Sequence, residues 1–151
     1  MKRPWFSVLV FLIIIIICIL IFSPTDKKRI WKVIVASEKT IIDEDIDGLM
    51  EGISFNYRDE YGGTYLLIKR RMETVFKRLD NIDTEIQLVK ISVDKKQAEA
   101  DINVRVTASQ GEGRSYIAGD PANWQNMKIY LEKLRYKWEV ISVKGLFDYD
   151  L

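Results

Sequence analysis

Histidine is absent from the 151 residues, so no His-based triad, His-ligated metal or imidazole pH switch can be assembled. Cysteine occurs once, at Cys18, which excludes an intrachain disulfide and a Cys-rich zinc site. A charge surplus is also missing: 23 Lys+Arg stand against 22 Asp+Glu. Nucleic-acid binders need basic excess for phosphate contacts, so no nucleic-acid partner is expected. No Gly-rich phosphate loop, no G-x-S-x-G and no cysteine outside the first apolar stretch occurs, and no cofactor is implied.

What is present begins with an apolar run. Trp5–Phe22, WFSVLVFLIIIIICILIF, holds 18 residues without a charge, and Ser7 is its only polar member. As a helix it would be roughly 27 Å long, close to the hydrocarbon thickness of a bilayer. The run Ile13–Ile17 forms helix poorly in water, but in lipid internal backbone pairing leaves helix as the option. Pro24 ends the stretch, and Trp5 and Trp31 fall where interfacial aromatics sit. A cleaved signal peptide is the competing reading, since Lys2 and Arg3 make an n-region. The run exceeds a usual h-region, however, and its exit has no A-x-A-like site, so an uncleaved anchor is expected. Lys27, Lys28, Arg29 and Lys32 after the run favour a cytoplasmic domain by count. The signal-anchor form favours export, and an extracytoplasmic domain is the expectation.

The remaining chain, about 128 residues from Pro24, is enough for one domain. Residues 1–4 form a tail, 5–22 the span and 26–147 the domain. Ile30, Val33, Ile34 and Ile41 predict a helix over Asp26–Ile42, with Thr25 or Asp26 as N-cap. A short helix over Asp47–Glu51 with Asp47 as cap, and a third over Thr64–Leu79, follow. Ile68, Met72, Val75, Phe76 and Leu79 make one face of the third. After Asn81 the period changes to two. Thr84–Val93 has a phase break at Val89-Lys90 that suits a β-bulge, and Gln97–Ala108 alternates throughout. Ser109–Asn126 reads as a long loop, and Met127–Glu132 with Trp138–Val143 as a closing hairpin. The class is α+β: three helices on one face of a curved four-stranded antiparallel sheet.

Three groups have the residue types for chemistry. Asp43, Asp45 and Asp47, with Gly48, match the opening of a calcium-binding loop, but position 12 is Ser54 where a bidentate carboxylate is needed. An interhelix turn accounts for the same residues. Asp59 with Tyr57 and Tyr61 would suit proton abstraction beside a carbonyl, a carboxylate base with phenolic donors, if a cavity opened at them. Loop capping and core packing are the alternative. Tyr57, Tyr61, Trp124 and Tyr130 are the candidates for ligand contact, Trp124 because it lies on a glycine-rich loop.

Ile46-Asp47-Gly48-Leu49-Met50, Ile53-Ser54 and Tyr57-Arg58-Asp59-Glu60-Tyr61-Gly62, followed by the third helix, resemble the NTF2-like (nuclear transport factor 2-like, cystatin-like cone) superfamily. The alternating strand Gln97–Ala108 and Lys137-Trp138-Glu139-Val140 complete the resemblance. It implies a bent sheet wrapped round the long helix, with a pocket at the open end of the cone. Members include ketosteroid isomerase-like and dehydratase enzymes, ligand-binding domains and dimerisation modules, so fold does not transfer function. The His/Asp pairs of the dehydratases cannot exist here. An anchor followed by such a domain is similar in architecture to VirB8-type secretion components and Mce-associated membrane proteins, which are scaffolds. The expectation is a membrane-anchored binding module of a bacterial cell envelope, non-enzymatic, partnered as a homodimer or by another membrane protein.

Overall fold

The computed structural model describes residues 10–15 and 25–145. Residues 10–15 of the apolar run are helical. The rest of the expected span Trp5–Phe22 lies outside the described residues, as do Leu146 and Phe147 at the end of the expected domain. Among the described residues no helix is long and apolar enough to cross a membrane.

Helix α1 is Asp26–Ile42, with Thr25 as N-cap residue but without a side-chain cap bond. Its core face is the i, i+4 pair Ile30 and Ile34, both buried. Each such burial contributes about 1.5–3 kcal/mol. Trp31, next to Ile30, packs half-buried against the core. The helix ends where Glu44 takes a left-handed φ of 54° and Asp45 N donates to Thr40 O at 2.8 Å. Helix α2, Ile46–Met50, is capped by Asp45, whose Oδ1 accepts from Gly48 N at 3.0 Å. The expected cap Asp47 is thus corrected by two positions: it lies inside the helix, where its backbone is already helical. Helix α3, Tyr65–Arg78, has Thr64 as N-cap, with Oγ1 accepting from Leu67 N at 3.4 Å.

Five strands follow: β1 Asp80–Asp94, β2 Gln97–Gln110, β3 Gly113–Ala118, β4 Gln125–Leu134 and β5 Lys137–Lys144. All pair antiparallel in the order β1-β2-β4-β5. Strand β2 carries β1 on one side. On the other it pairs with β4 over Gln97–Val104 and with β3 over Val106–Gln110. The register of β1 slips between Leu88 and Lys90, a bulge at the place where the sequence period breaks. Strand β3 corrects the expectation of four strands and a long loop. Gly111 and Gly113 mask it in sequence, and Gly113–Tyr116 are exposed, so no burial-driven alternation marks it.

Helix α1 contacts both β1 and β5, the two ends of the strand order, so the sheet curls round it. The inner face brings Ala98, Ala100, Ile102, Val104, Ile129, Leu131, Trp138 and Val140 together with Ile30, Ile34, Met50, Tyr57 and Ile68. The α2–α3 connection covers the free edge of β5. Ser54 N donates to Val140 O, Val140 N to Gly52 O and Arg58 N to Ile141 O, at 2.9, 2.9 and 2.8 Å. A covered edge cannot template pairing with another chain.

Candidate functional site

The connection that covers β5 also carries the sequence candidates Tyr57, Asp59 and Tyr61. Backbone pairing with β5 turns Tyr57 inward, where it is 1% exposed and part of the core. Its hydroxyl donates to Asp59 Oδ2 at 3.5 Å. Burial, reinforced by the adjacent Asp59 carboxylate, pushes the phenol well above the ordinary tyrosine range. Asp59 is buried and its Oδ1 accepts from Tyr61 N at 2.9 Å and Gly63 N at 2.6 Å. Asp59 N in turn donates to Gly63 O, and Gly62 N to Asp59 O, both at 3.2 Å. The carboxylate therefore holds its own loop closed. Tyr61 contributes its backbone to that loop, while its side chain is exposed.

Phenol and carboxylate meet, but a depression in the surface is lined by other residues. It measures about 280 Å³ and is lined by Met50, Ile53, Phe55 and Tyr65, with Lys69 and Lys137 among its polar walls. Phe55, 80% exposed, packs against Tyr65 with ring centroids 4.5 Å apart. This aromatic pair went unrecognised in the sequence; the signal available was Phe55 following two strand-like residues, Ile53 and Ser54, on an edge. Neither Tyr57 nor Asp59 lines this depression.

The other ligand candidates lie across the sheet. Arg105 stacks its guanidinium 4.1 Å over the Trp124 ring and donates to Pro121 O at 3.2 Å. The loop that carries Trp124 is fixed by Asp120, whose Oδ1 accepts from Ala122 N and Asn123 N, both at 2.8 Å. Hydrogen bonds from the Asn123 side chain, then from those amides, hold the Asp120 carboxyl below its usual range. Tyr130 pairs with Glu99 and lies 5.6 Å from Lys144 Nζ on the outer, polar face of the sheet. Tyr57 points into the core and Tyr130 away from it, so the four aromatic candidates do not form one site.

Asp43, Asp45 and Asp47 do not converge. Asp43 is the C-cap of α1, Asp45 caps α2, and Asp47 pairs with Lys69 Nζ at 2.9 Å. Among the described residues no group of three or more acidic or thiol side chains stands close enough to hold a metal ion. The residues present therefore make an interhelix turn. The corresponding sequence pattern reflects two separate capping tasks.

No protein-family model matches the sequence, and no curated protein matches it. Solved structures do match its fold. A putative scytalone dehydratase from Novosphingobium aromaticivorans is 10% identical with a TM-score of 0.68, over 78% of this chain and 80% of that one. A ketosteroid isomerase-like protein from Erwinia carotovora atroseptica is 10% identical with a TM-score of 0.62, over 76% and 90%. A Nostoc punctiforme protein described as having a cystatin-like fold is 14% identical with a TM-score of 0.58, over 78% and 87%. At these identities the likeness is one of fold, and the fold of residues 25–145 is the NTF2-like, cystatin-like α+β cone.

Proposed function

We propose that this protein is a single-pass membrane protein whose NTF2-like domain binds a protein partner and catalyses no reaction, with the domain on the extracytoplasmic side. The observation that supports the non-catalytic part is the state of Asp59. Both of its oxygens are engaged, Oδ1 by two loop amides and Oδ2 by Tyr57, so the carboxylate works as a structural clasp. The apolar run supports the tether, because α1 starts at Asp26, four residues beyond Phe22, with no flexible linker between. The outer face of the sheet supports a polar partner contact. It carries the Lys128–Glu99 ion pair at 3.1 Å and Asn126 Nδ2 bonded to Asp101 Oδ1 at 2.7 Å. Such a face suits a reversible contact with a second copy or another membrane protein, in the manner of an envelope scaffold.

A second reading, a small isomerase- or dehydratase-like enzyme, is favoured by one observation: Tyr57 and Asp59 meet at 3.5 Å, a donor beside a base. One experiment separates the two. Full-length protein is released from membranes in mild detergent and weighed by native mass spectrometry. A dimer or a defined complex without a small bound mass supports the scaffold module. A retained small organic molecule, lost in Asp59→Asn while the fold persists, supports the enzyme. Recovery of the chain in the soluble fraction after alkaline washing of membranes would overturn the tether.

A further inference from the structure

The overall charge is near zero, but it is not evenly spread. Three segments far apart in sequence meet at one end of the domain. They are the start of α1, the β1–β2 turn and the β4–β5 turn. Strands β1 and β4 both run antiparallel to β2, so their C-terminal tips point the same way. Lys133 N donates to Lys96 O at 2.8 Å, joining the two tips. Asp26, the first residue of α1, accepts from Lys133 Nζ at 2.8 Å and from Trp138 Nε1 at 3.2 Å, fixing the helix start beside them.

Residues 26–32, 94–97 and 133–137 together hold nine Lys or Arg and two Asp. Of the two acids, Asp26 is already paired to Lys133. Beyond Arg3, the rest of the chain has 12 basic residues against 20 acidic ones. Helix α1 is about 25 Å long at 1.5 Å per residue, and the turn and short helix that follow it carry Asp43, Glu44, Asp45 and Asp47. Within α1, Glu38 stands near Asp83, and burial, together with that neighbouring charge, raises its carboxyl. Basic residues thus gather around the start of α1, and acidic ones in the segment after its end.

Lys27, Lys28, Lys95, Lys96 and Arg135 are exposed, and among the described residues none is ion-paired. The ion pairs use other cations, Lys69, Arg105, Arg114, Lys128, Lys133 and Lys137. Tyr136, at the β4–β5 tip, is 87% exposed. An exposed aromatic amid unpaired cations suits a headgroup layer, where amphipathic rings reside and each nearby Lys or Arg strengthens attraction to an anionic surface. We propose that this composite basic end, Lys27, Lys28, Lys95, Lys96 and Arg135 around Tyr136, docks onto anionic lipid headgroups and holds the domain upright on the bilayer. The proposal rests on the membrane tether of the preceding section. It adds a contact made by two hairpin tips more than 60 residues from the anchor.

The test uses the full chain carrying Cys18→Ser and Leu134→Cys, labelled at residue 134, at the same tip, with an environment-sensitive fluorophore. It is reconstituted with vesicles of phosphatidylcholine alone or of phosphatidylcholine and phosphatidylglycerol in equal parts, each containing a headgroup-region nitroxide quencher. Flotation reads the tether, and quenching reads the docked tip. The expected result is flotation with both vesicles and severalfold stronger quenching on the anionic ones. That excess should vanish in 1 M salt, where the Debye length falls to about 3 Å, and in Lys95→Gln/Lys96→Gln/Arg135→Gln. Flotation with both but equal quenching, or a tip that stays in water on both, overturns the docking face and leaves the tether. Flotation with anionic vesicles alone, with quenching, upholds the face and removes the tether. Flotation with neither overturns both.

Discussion

Trp138 Nε1 donates a 3.2 Å hydrogen bond to Asp26 Oδ1 across 112 residues of chain. Lys133 Nζ binds the same carboxylate at 2.8 and 2.9 Å, so the first residue of α1 is fastened to the last hairpin. The Trp138 side chain is fully buried, and without Asp26 its N–H would be left without that acceptor. The clasp therefore fixes the start of α1 against the β4–β5 hairpin.

Asp26→Ala should lower stability by about 2 kcal/mol, the usual cost of stranding a buried donor and breaking a partly exposed ion pair. Asp26→Asn should lose about half of that, because an amide oxygen can still accept from Trp138. The hydrogen bonds from Lys133 and Trp138 hold the Asp26 carboxyl below the ordinary aspartate range. A depressed acid stabilises above its unfolded pKa, and that contribution is lost as pH falls through the lower folded value. Urea unfolding from pH 7 down to pH 3 should show a shallower acid loss in Asp26→Asn than in the parent.

Asp59 provides a second, sharper contrast. Asp59→Ala leaves the buried N–H of Gly63 without its 2.6 Å acceptor and removes the partner of Tyr57. A cost of about 2–3 kcal/mol is expected. Asp59→Asn keeps an oxygen for the two amides and should lose only about 1 kcal/mol. If Asp59→Asn were as stable as the parent while Asp59→Ala unfolded at the same temperature too, the clasp would not be the role of this residue. Thermal unfolding followed by near-UV circular dichroism measures both.

Tyr57 should resist alkaline titration. Its phenol is pushed up by burial first and by the Asp59 charge second, so the folded state favours the neutral form. A raised folded value gives stability that is complete below the unfolded tyrosine value near 10 and is lost as pH rises beyond it. Absorbance of tyrosinate, followed through an alkaline titration alongside circular dichroism, reads this. The Tyr57 share should appear only with unfolding, and in Tyr57→Phe that late step should be missing.

The elements that alternate or repeat cleanly were readable from sequence, because burial on one face writes a period into the chain. Helix α1 matches its expected limits, and the faces of β2 are the expected ones, with Ala98, Ala100, Ile102 and Val104 inside. The bulge at Val89 left a phase error that could be read directly. Strand β3 was not readable because its first residues are exposed and contribute no period. The site was only partly readable. The sequence grouped Tyr57 with Asp59, but only pairing of their segment with β5 decides that the phenol turns inward and the carboxylate serves the loop. The basic end was half visible at Lys27 and Lys28. Its other half depends on strand direction, which brings Lys95, Lys96 and Arg135 to the same place.

Two glycines near these clasps should respond with opposite sign to the same substitution. A Cβ at Gly63 would run into the Asp59 carboxylate, with the Asp59 Cγ at 2.7 Å and Oδ1 at 2.8 Å. That carboxylate is buried and already bonded to the Gly63 amide, so it cannot swing aside without releasing the loop. Gly63→Ala should therefore cost about 2 kcal/mol or more, combining steric strain with a lost buried hydrogen bond. At Gly52 the added methyl would meet Ser37 Oγ at 3.5 Å, Leu49 O at 3.6 Å and Val33 Cγ1 at 3.8 Å, all ordinary contacts. Its backbone is outside the left-handed region, so alanine fits and mainly narrows the unfolded ensemble. Gly52→Ala should gain about 0.4–1 kcal/mol. Chemical denaturation of the two variants side by side checks the pair. Equal effects at both positions would mean that the Asp59 loop yields in solution, and that its carboxylate is not committed to holding it closed.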